Sequence, residues 1–183
     1  MTSEAKSLGI YIHVPFCMRK CPYCDFYSCE NSLHKRDAYV QAVCRNISFY
    51  GNGKAVDTIY FGGGTPSLLT AEQIAMLLKK IKKNFYVADK CEITLETNPG
   101  TVDKAKLSAF RRSGVNRLSI GCQSFFDRDL GVCGRIHKSI DNVKVMNQES
   151  GGTEVKVHGI TSDFIAYLVA DDNYNRPTVD QFK

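Results

Sequence analysis

The stretch YIHVPFCMRKCPYCDFYS, residues 11–28, joins a short apolar segment to three closely spaced cysteines. Ile10, Ile12 and Val14 lie at alternating positions, and this period of two predicts a β-strand over Gly9–Val14. The strand ends just before the cysteines, which therefore lie in the loop that follows it. The fold class then depends on the elements that continue the sheet, and the function depends on the chemistry that three thiols on one loop can support.

The same order of strand, loop and helix recurs along the next hundred residues. Apolar residues spaced three and four apart predict a helix that begins near Asp37 and ends at Gly51. Thr70 and Gln73 form a capping box at the start of a second helix, and Gly114 ends a third. Further strands are predicted at Thr58–Phe61, Cys91–Glu96 and Arg117–Gly121. Because parallel strands need helical crossovers, this alternation predicts an α/β fold with a parallel sheet.

Residues of chemical interest follow the predicted strands at their carboxyl ends. These ends carry the cysteines, the glycine run Gly62–Pro66, Glu96, and Gly121 with Gln123. In parallel sheets and barrels these ends meet at one rim, where ligands bind, so we expect the four groups to lie together. The glycine run is neither a P-loop nor a dinucleotide fingerprint, and by itself it predicts only a tight turn.

Composition restricts the class of protein. A chain of 183 residues with 43% hydrophobic residues fits one compact domain. The net charge of +5 is scattered, and the lysines between Lys79 and Lys83 are predicted to form a solvated helix face, so we expect no nucleic-acid partner. No apolar run approaches the roughly 18 residues of a membrane span, and the first eight residues lack the apolar core of a signal peptide. We therefore expect a cytoplasmic location.

The cysteine pattern indicates a metal site. In a reducing compartment, clustered cysteines favour metal binding or catalysis over disulfides. Structural zinc sites usually take four ligands from two separated pairs, whereas one C-x3-C-x2-C run stands alone here. Three thiolates on one loop suit an iron-sulfur cluster with one open iron. We predict that Cys17, Cys21 and Cys24 are the ligands, with Cys29 as the candidate for an extra one and a structural zinc or interaction domain as the alternative.

These residues carry a family resemblance. The run Cys17–Cys24, with Tyr23 before the third cysteine, resembles the signature of the radical S-adenosylmethionine superfamily. The stretches YIHVPFC, IYFGGGTPS, ITLETNPGT and GVNRLSIGCQSF, followed by GRIH, closely resemble the oxygen-independent coproporphyrinogen III oxidase family. The resemblance covers residues 8–137, about three quarters of the chain.

The resemblance implies a domain organisation. We expect a partial parallel (β/α) barrel of the radical S-adenosylmethionine type whose C-terminal part is incomplete. Residues 1–137 are predicted to form the core. Residues 138–183 are predicted to form a divergent tail with a fifth strand near Val155 and a disordered end of about ten residues.

The resemblance also implies cofactors and a binding site. A 4Fe–4S cluster on the three cysteines would reduce S-adenosylmethionine and release a 5′-deoxyadenosyl radical, so the cofactor carries the difficult chemistry. The family pattern assigns eight residues to the cofactor pocket: Tyr11, Tyr23, Gly63, Gly64, Thr65, Glu96, Gln123 and Arg135. It identifies no catalytic acid or base, and none of the four histidines is assigned to a metal.

Two branches of the family differ in one position after the third cysteine. Its oxidases, which decarboxylate porphyrinogen in heme biosynthesis, have another cysteine two residues later, whereas this chain has Phe26. The sequence therefore favours the heme chaperone branch, and the oxidase remains the alternative. The resemblance implies heme or a porphyrinogen as ligand, together with an electron donor and a heme-acceptor protein.

Overall fold

A computed structural model of the chain describes residues 7–51, 53–147 and 154–156. Its strands form one five-stranded sheet in the order β1-β2-β3-β4-β5, with every neighbouring pair parallel. The strands are β1 Leu8–Val14, β2 Ala55–Gly63, β3 Tyr86–Thr97, β4 Arg117–Ile120 and β5 Glu154–Lys156. The described strands form an open sheet, and the prediction of an α/β fold with a partial parallel barrel is confirmed.

Helices connect the strands, as the periodicity predicts. They are α1 Arg36–Tyr50, α2 Ala71–Asn84, α3 Lys104–Ser113, α4 Asp127–Val132 and α5 Ser139–Asn147. The capping box of α2 is confirmed, because the Gln73 amide donates to Thr70 Oγ1 (3.2 Å) and the Thr70 amide donates to Gln73 Oε1 (2.9 Å). Helix α3 ends at Gly114, whose φ of 116° is a left-handed conformation that favours glycine.

The core lies between one face of the sheet and the helices. Its sheet side consists of buried apolar residues from four strands: Ile12, Val14, Val56, Ile59, Phe61, Ile93, Leu95, Leu118 and Ile120. Helix α2 buries the apolar stripe that its sequence predicts, with Ile74, Leu77 and Ile81 completely covered. The other face of the sheet carries Tyr60 and charged or polar side chains, so only one face is committed to packing.

Strands β2 and β3 extend beyond their predicted limits. Strand β3 begins at Tyr86 rather than Cys91, because Tyr86 and Val87 pair with Ala55 and Val56 at the start of β2. Strand β5 pairs with Arg117–Ser119 of β4 and lies where a fifth strand is predicted. The predicted disordered end lies outside the described residues, and the division at residue 137 stays a prediction.

Candidate functional site

A cavity of about 670 Å³ opens at the carboxyl ends of β1 to β4. All but one of the eleven residues predicted for the site line it: Cys17, Cys21, Tyr23, Cys24, Gly63, Gly64, Thr65, Glu96, Gln123 and Arg135. The parallel sheet produces this convergence, because each strand delivers its following loop to the same rim. The cavity is also lined by Gly121, which was expected at this rim, and by Ser28, Asn98 and Ser119, which were not predicted as site residues.

Backbone hydrogen bonds hold the cysteine loop at both ends. The Cys29 amide donates to the Pro15 carbonyl (2.7 Å), and the Cys17 amide donates to the Cys29 carbonyl (3.1 Å), which closes the loop onto the end of β1. Within the loop, the Cys24 amide donates to the Cys21 carbonyl (3.0 Å). The Lys20 amide also donates to the carboxylate of Glu30. The cysteines therefore lie on a loop with a defined backbone.

The glycine run brings the end of β2 against this loop. The Gly64 amide donates to the Val14 carbonyl (2.8 Å), and the Thr65 amide donates to the Phe16 carbonyl (2.7 Å). A β-carbon on Gly64 would lie 2.7 Å from the Phe16 carbonyl oxygen and 3.1 Å from Cys17 Sγ. This close approach requires glycine, since any side chain would force the two segments apart.

Glu96, the residue before the end of β3, is oriented by two donors from β2. The Tyr60 hydroxyl donates to Glu96 Oε1 (2.7 Å), and the Gly63 amide donates to Glu96 Oε2 (3.1 Å). A carboxylate has about four lone-pair positions, so both oxygens retain capacity to accept bonds from a ligand. The pair of donors therefore presents the carboxylate to the cavity in one orientation.

Tyr60 provides a pH prediction for this contact. Burial, the hydrogen bond to Glu96 and the charge of Glu96 raise the pKa of Tyr60 to about 12. The folded-state pKa lies above the ordinary value of about 10. The contribution of protonated Tyr60 to folding stability is therefore present below pH 10 and is lost as the pH rises towards 12. We expect Tyr60→Phe to remove about one tyrosine equivalent from the late phase of an alkaline absorbance titration. An unchanged late phase would contradict this assignment.

Arg135 connects the cysteine loop to the rest of the rim. Its Nη2 donates to Asn98 Oδ1 (2.6 Å) and to the Gly121 carbonyl (3.1 Å). Its Nη1 donates to Cys21 Sγ (3.4 Å) and to the Tyr23 hydroxyl (3.3 Å). Burial raises the pKa of Tyr23 to about 12, although the charge of Arg135 acts in the opposite direction.

Asn98 is a rim residue that sequence reasoning missed. Its Nδ2 donates to Thr65 Oγ1 (3.0 Å) while its Oδ1 accepts from Arg135. Thr65 Oγ1 in turn lies 3.6 Å from Cys17 Sγ. The sequence signal was the Asn-Pro-Gly run, which predicts a turn but does not indicate that the asparagine side chain points towards the rim.

Tyr11 lies apart from this cavity. Its ring is 55% exposed and stacks on Tyr60, with ring centroids 6.0 Å apart. Its hydroxyl lies 3.3 Å from His13 Nδ1. It lines a groove with Tyr39 and Val43 of α1 instead of the cavity that contains the cysteines. A contact between Tyr11 and a cofactor stays a prediction.

The cavity wall fits a polar ligand. Three buried polar atoms of its lining have no hydrogen-bond partner among the described residues: Ser28 Oγ, Gln123 Oε1 and Arg135 Nε. Buried polar groups are normally paired, so unpaired ones that line a cavity are suited to contacts with a bound molecule. Within residues 7–51, 53–147 and 154–156, no three His, Cys, Asp or Glu side chains are grouped closely enough to hold a single metal ion, and this includes the three cysteines of the loop. An iron-sulfur cluster takes each thiolate on a different iron, so its ligands need not converge on one point.

Two of the described histidines, His13 and His137, have partners other than metals. His13 Nε2 lies 2.8 Å from the Tyr27 carbonyl, and His137 Nε2 lies 3.2 Å from the Cys122 carbonyl. Burial lowers the pKa of His137, and the charge of Arg135 lowers it further. No helix in the described part of the chain is both long and apolar enough to span a bilayer.

Comparison with known proteins identifies relatives. A profile of the Radical SAM superfamily matches residues 11–167. The heme chaperone HemW of Escherichia coli K12 is 44% identical over 134 residues, which are 71% of this chain and 35% of that protein. HemW of Haemophilus influenzae is 41% identical over 148 residues, 76% of this chain and 39% of that protein.

A solved structure agrees with this relationship. Coproporphyrinogen III oxidase (HemN) from Escherichia coli superposes with a TM-score of 0.75 at 28% identity, over 82% of this chain and 36% of that chain. This chain thus spans little more than a third of the length of these relatives. The chain belongs to the radical S-adenosylmethionine superfamily, in its HemN/HemW-like family, and is closely related to the HemW heme chaperones.

Proposed function

We propose that this chain forms the cofactor-binding core of a heme chaperone. Membership of the superfamily implies a 4Fe–4S cluster and S-adenosylmethionine as cofactors. The observation that carries the proposal is that the three cysteines line the same cavity as the glycine run, Glu96, Gln123 and Arg135. When bound, the two cofactors supply one-electron reductive chemistry, and the protein supplies orientation and exclusion of solvent.

The residues of the cavity have separate roles in this proposal. Cys17, Cys21 and Cys24 would hold the cluster, because three thiolates leave one iron open to another ligand. The guanidinium of Arg135, which donates to Cys21 Sγ, stabilises the negative charge that ligation by thiolates brings. Glu96 accepts hydrogen bonds from hydroxyl or ammonium groups of S-adenosylmethionine. The unpaired Oε1 of Gln123 accepts one more.

The region near Phe26 favours a chaperone over an oxidase. Phe26 occupies the position at which oxidases of the resembled family have a cysteine, and it lines the cavity while 61% exposed. Tyr27, the next residue, and Met18, elsewhere on the cysteine loop, are also exposed, at 71% and 55%. Exposed apolar side chains on this loop suit a ligand with a large apolar ring system, such as heme. The electron donor, the heme acceptor and the cytoplasmic location stay predictions.

The test is a comparison of ligands on one anaerobically reconstituted sample. We expect iron and sulfide in a ratio near one, an electron paramagnetic resonance signal that shifts when S-adenosylmethionine is added, and retention of added heme during gel filtration. Zinc without sulfide would instead support the structural zinc alternative. Anaerobic turnover of coproporphyrinogen without heme retention would support the oxidase.

A further inference from the structure

Gln123 has a backbone conformation that is unusual for a residue with a side chain. Its φ of 60° lies in the left-handed region, which glycine, asparagine and aspartate adopt far more often. The turn around it is tight, since the Cys122 amide donates to the Ile120 carbonyl (3.0 Å) and the Ser124 amide donates to the Cys122 carbonyl (2.8 Å). Such a conformation persists only where the surroundings stabilise it.

Two buried side chains stabilise this turn from behind the cavity. His137 Nε2 lies 3.2 Å from the Cys122 carbonyl, which can only accept, so this nitrogen carries the proton. Asn142 Nδ2 donates to the same carbonyl (3.2 Å) and to the Ser124 carbonyl (2.7 Å). His137 is 4% exposed and Asn142 is 0% exposed, whereas neither lines the large cavity. The carbonyls on both sides of Gln123 are thus held by donors that lie outside the lining of this cavity.

The Ser124 side chain adds a third attachment. Its hydroxyl donates to Asp129 Oδ2 of α4 (2.8 Å) and accepts from the Phe126 amide (3.1 Å). The turn is therefore connected to α4 through Ser124 and to α5 through Asn142. Among Cys122, Gln123 and Ser124, only Gln123 lines the cavity. Its Oε1 has no hydrogen-bond partner within the described part of the chain.

We propose that His137 and Asn142 are positioning residues, which hold Gln123 in its left-handed conformation so that its amide is presented to S-adenosylmethionine. This inference rests on the proposed function of the cavity. Without these donors the buried Ser124 carbonyl would lose its hydrogen bond and the Cys122 carbonyl would keep only the Ser124 amide, so the turn would relax to a negative φ. That change would redirect the Gln123 side chain away from the ligand. It follows that α5, which lies beyond residue 137, contributes to the site.

The test measures S-adenosylmethionine affinity in reconstituted protein. We expect His137→Leu and Asn142→Leu each to weaken binding about tenfold, which corresponds to about 1.4 kcal/mol. His137→Gln retains a donor at the position of Nε2, so we expect it to bind S-adenosylmethionine like the unaltered chain. The amide of His137→Asn is too short to reach the Cys122 carbonyl, so we expect this variant to bind as weakly as His137→Leu. Iron content should stay unchanged in all variants, because none of them alters the cysteine loop.

A double-mutant cycle separates positioning from general destabilisation. If His137 acts through Gln123, His137→Leu has little further effect on affinity in a Gln123→Ala background. Asn116→Leu is the matched control: Asn116 Nδ2 likewise donates to a backbone carbonyl, that of Cys91 (2.8 Å), but outside the cavity. The control should lower stability and leave affinity unchanged. Additive effects in the cycle, or an equal loss of affinity in the control, would overturn the proposal.

Amide hydrogen exchange provides a readout that needs no cofactor. In the cluster-free protein, the Ser124 amide is expected to exchange about tenfold faster in His137→Leu than in the unaltered chain, with Asn116→Leu as reference. Unchanged exchange in His137→Leu would overturn the positioning role. A different result is that exchange responds as expected but the unaltered chain does not bind S-adenosylmethionine. That result would overturn the proposed function and the presentation of Gln123 to this cofactor, and only the stabilisation of the turn by His137 would stand.

Discussion

Replacing Cys21 with alanine is expected to abolish assembly of the iron-sulfur cluster while the fold stays intact. Cys21 lies on a loop outside the apolar core, so its loss removes little packing. Two remaining thiols cannot ligate a cluster that needs three protein ligands. The side chain is also the one that Arg135 contacts, so the variant removes a hydrogen bond of the rim as well. Iron and sulfide content after anaerobic reconstitution measures assembly, and circular dichroism measures the fold.

Cys29→Ala is the matched control for this experiment. Cys29 lies in the same segment of chain, and its backbone closes the cysteine loop, but its side chain does not line the cavity. Its sulfur lies 3.8 Å from the Tyr27 hydroxyl, a weak contact. We expect full iron content in Cys29→Ala. Normal iron content in Cys21→Ala would remove the ligand assignment, and loss of iron in Cys29→Ala would identify a fourth thiol ligand.

Gly64→Ala is the second change with a large expected effect. The new β-carbon would lie 2.7 Å from the Phe16 carbonyl oxygen and 3.1 Å from the Val14 carbonyl oxygen, both of them backbone atoms that cannot rotate away. Overpacking of this kind costs about 1–3 kcal/mol of unfolding free energy. Because the same β-carbon would lie 3.1 Å from Cys17 Sγ, we also expect reduced cluster assembly. Denaturant unfolding and iron content measure the two effects.

Gly131→Ala supplies the comparison for the glycine experiment. Gly131 lies in α4, and nothing lies within 4 Å of the position that its β-carbon would occupy. Alanine is favoured over glycine in helices by about 1 kcal/mol, so this variant should be neutral or more stable. Equal free energies of unfolding for Gly64→Ala and Gly131→Ala would contradict this expectation, because they would show that the glycine run and the cysteine loop can move apart without loss of stability.

Much of the fold follows from local patterns in the sequence. Alternating apolar residues predict β1, and the spacing of Ile74, Leu77 and Ile81 predicts the buried face of α2. The limits of the helices follow from single residues, such as Thr70 at the start of α2 and Gly114 at the end of α3. These signals are readable because each depends on neighbours within a few positions along the chain.

The grouping of the site also follows from the sequence, through the rule that parallel strands present their carboxyl ends together. This rule places the cysteine loop, the glycine run, Glu96 and Gln123 at one rim without any knowledge of individual contacts. It does not say which side chains turn into the cavity. Tyr11 is an example: it lies on β1, the strand that precedes the cysteine loop, but its ring stacks on Tyr60 outside the cavity.

Only the tertiary structure decides the contacts that organise this rim. Arg135 and Cys21 are 114 positions apart, and Asn98 meets Arg135 from 37 positions away. His137 has no partner that the sequence indicates, and its partner is a backbone carbonyl that any residue would supply. The sequence by itself determined the class of fold, the cysteine loop and the family, because those depend on short-range patterns. The orientation of each side chain at the rim depends on long-range packing, which no local pattern encodes.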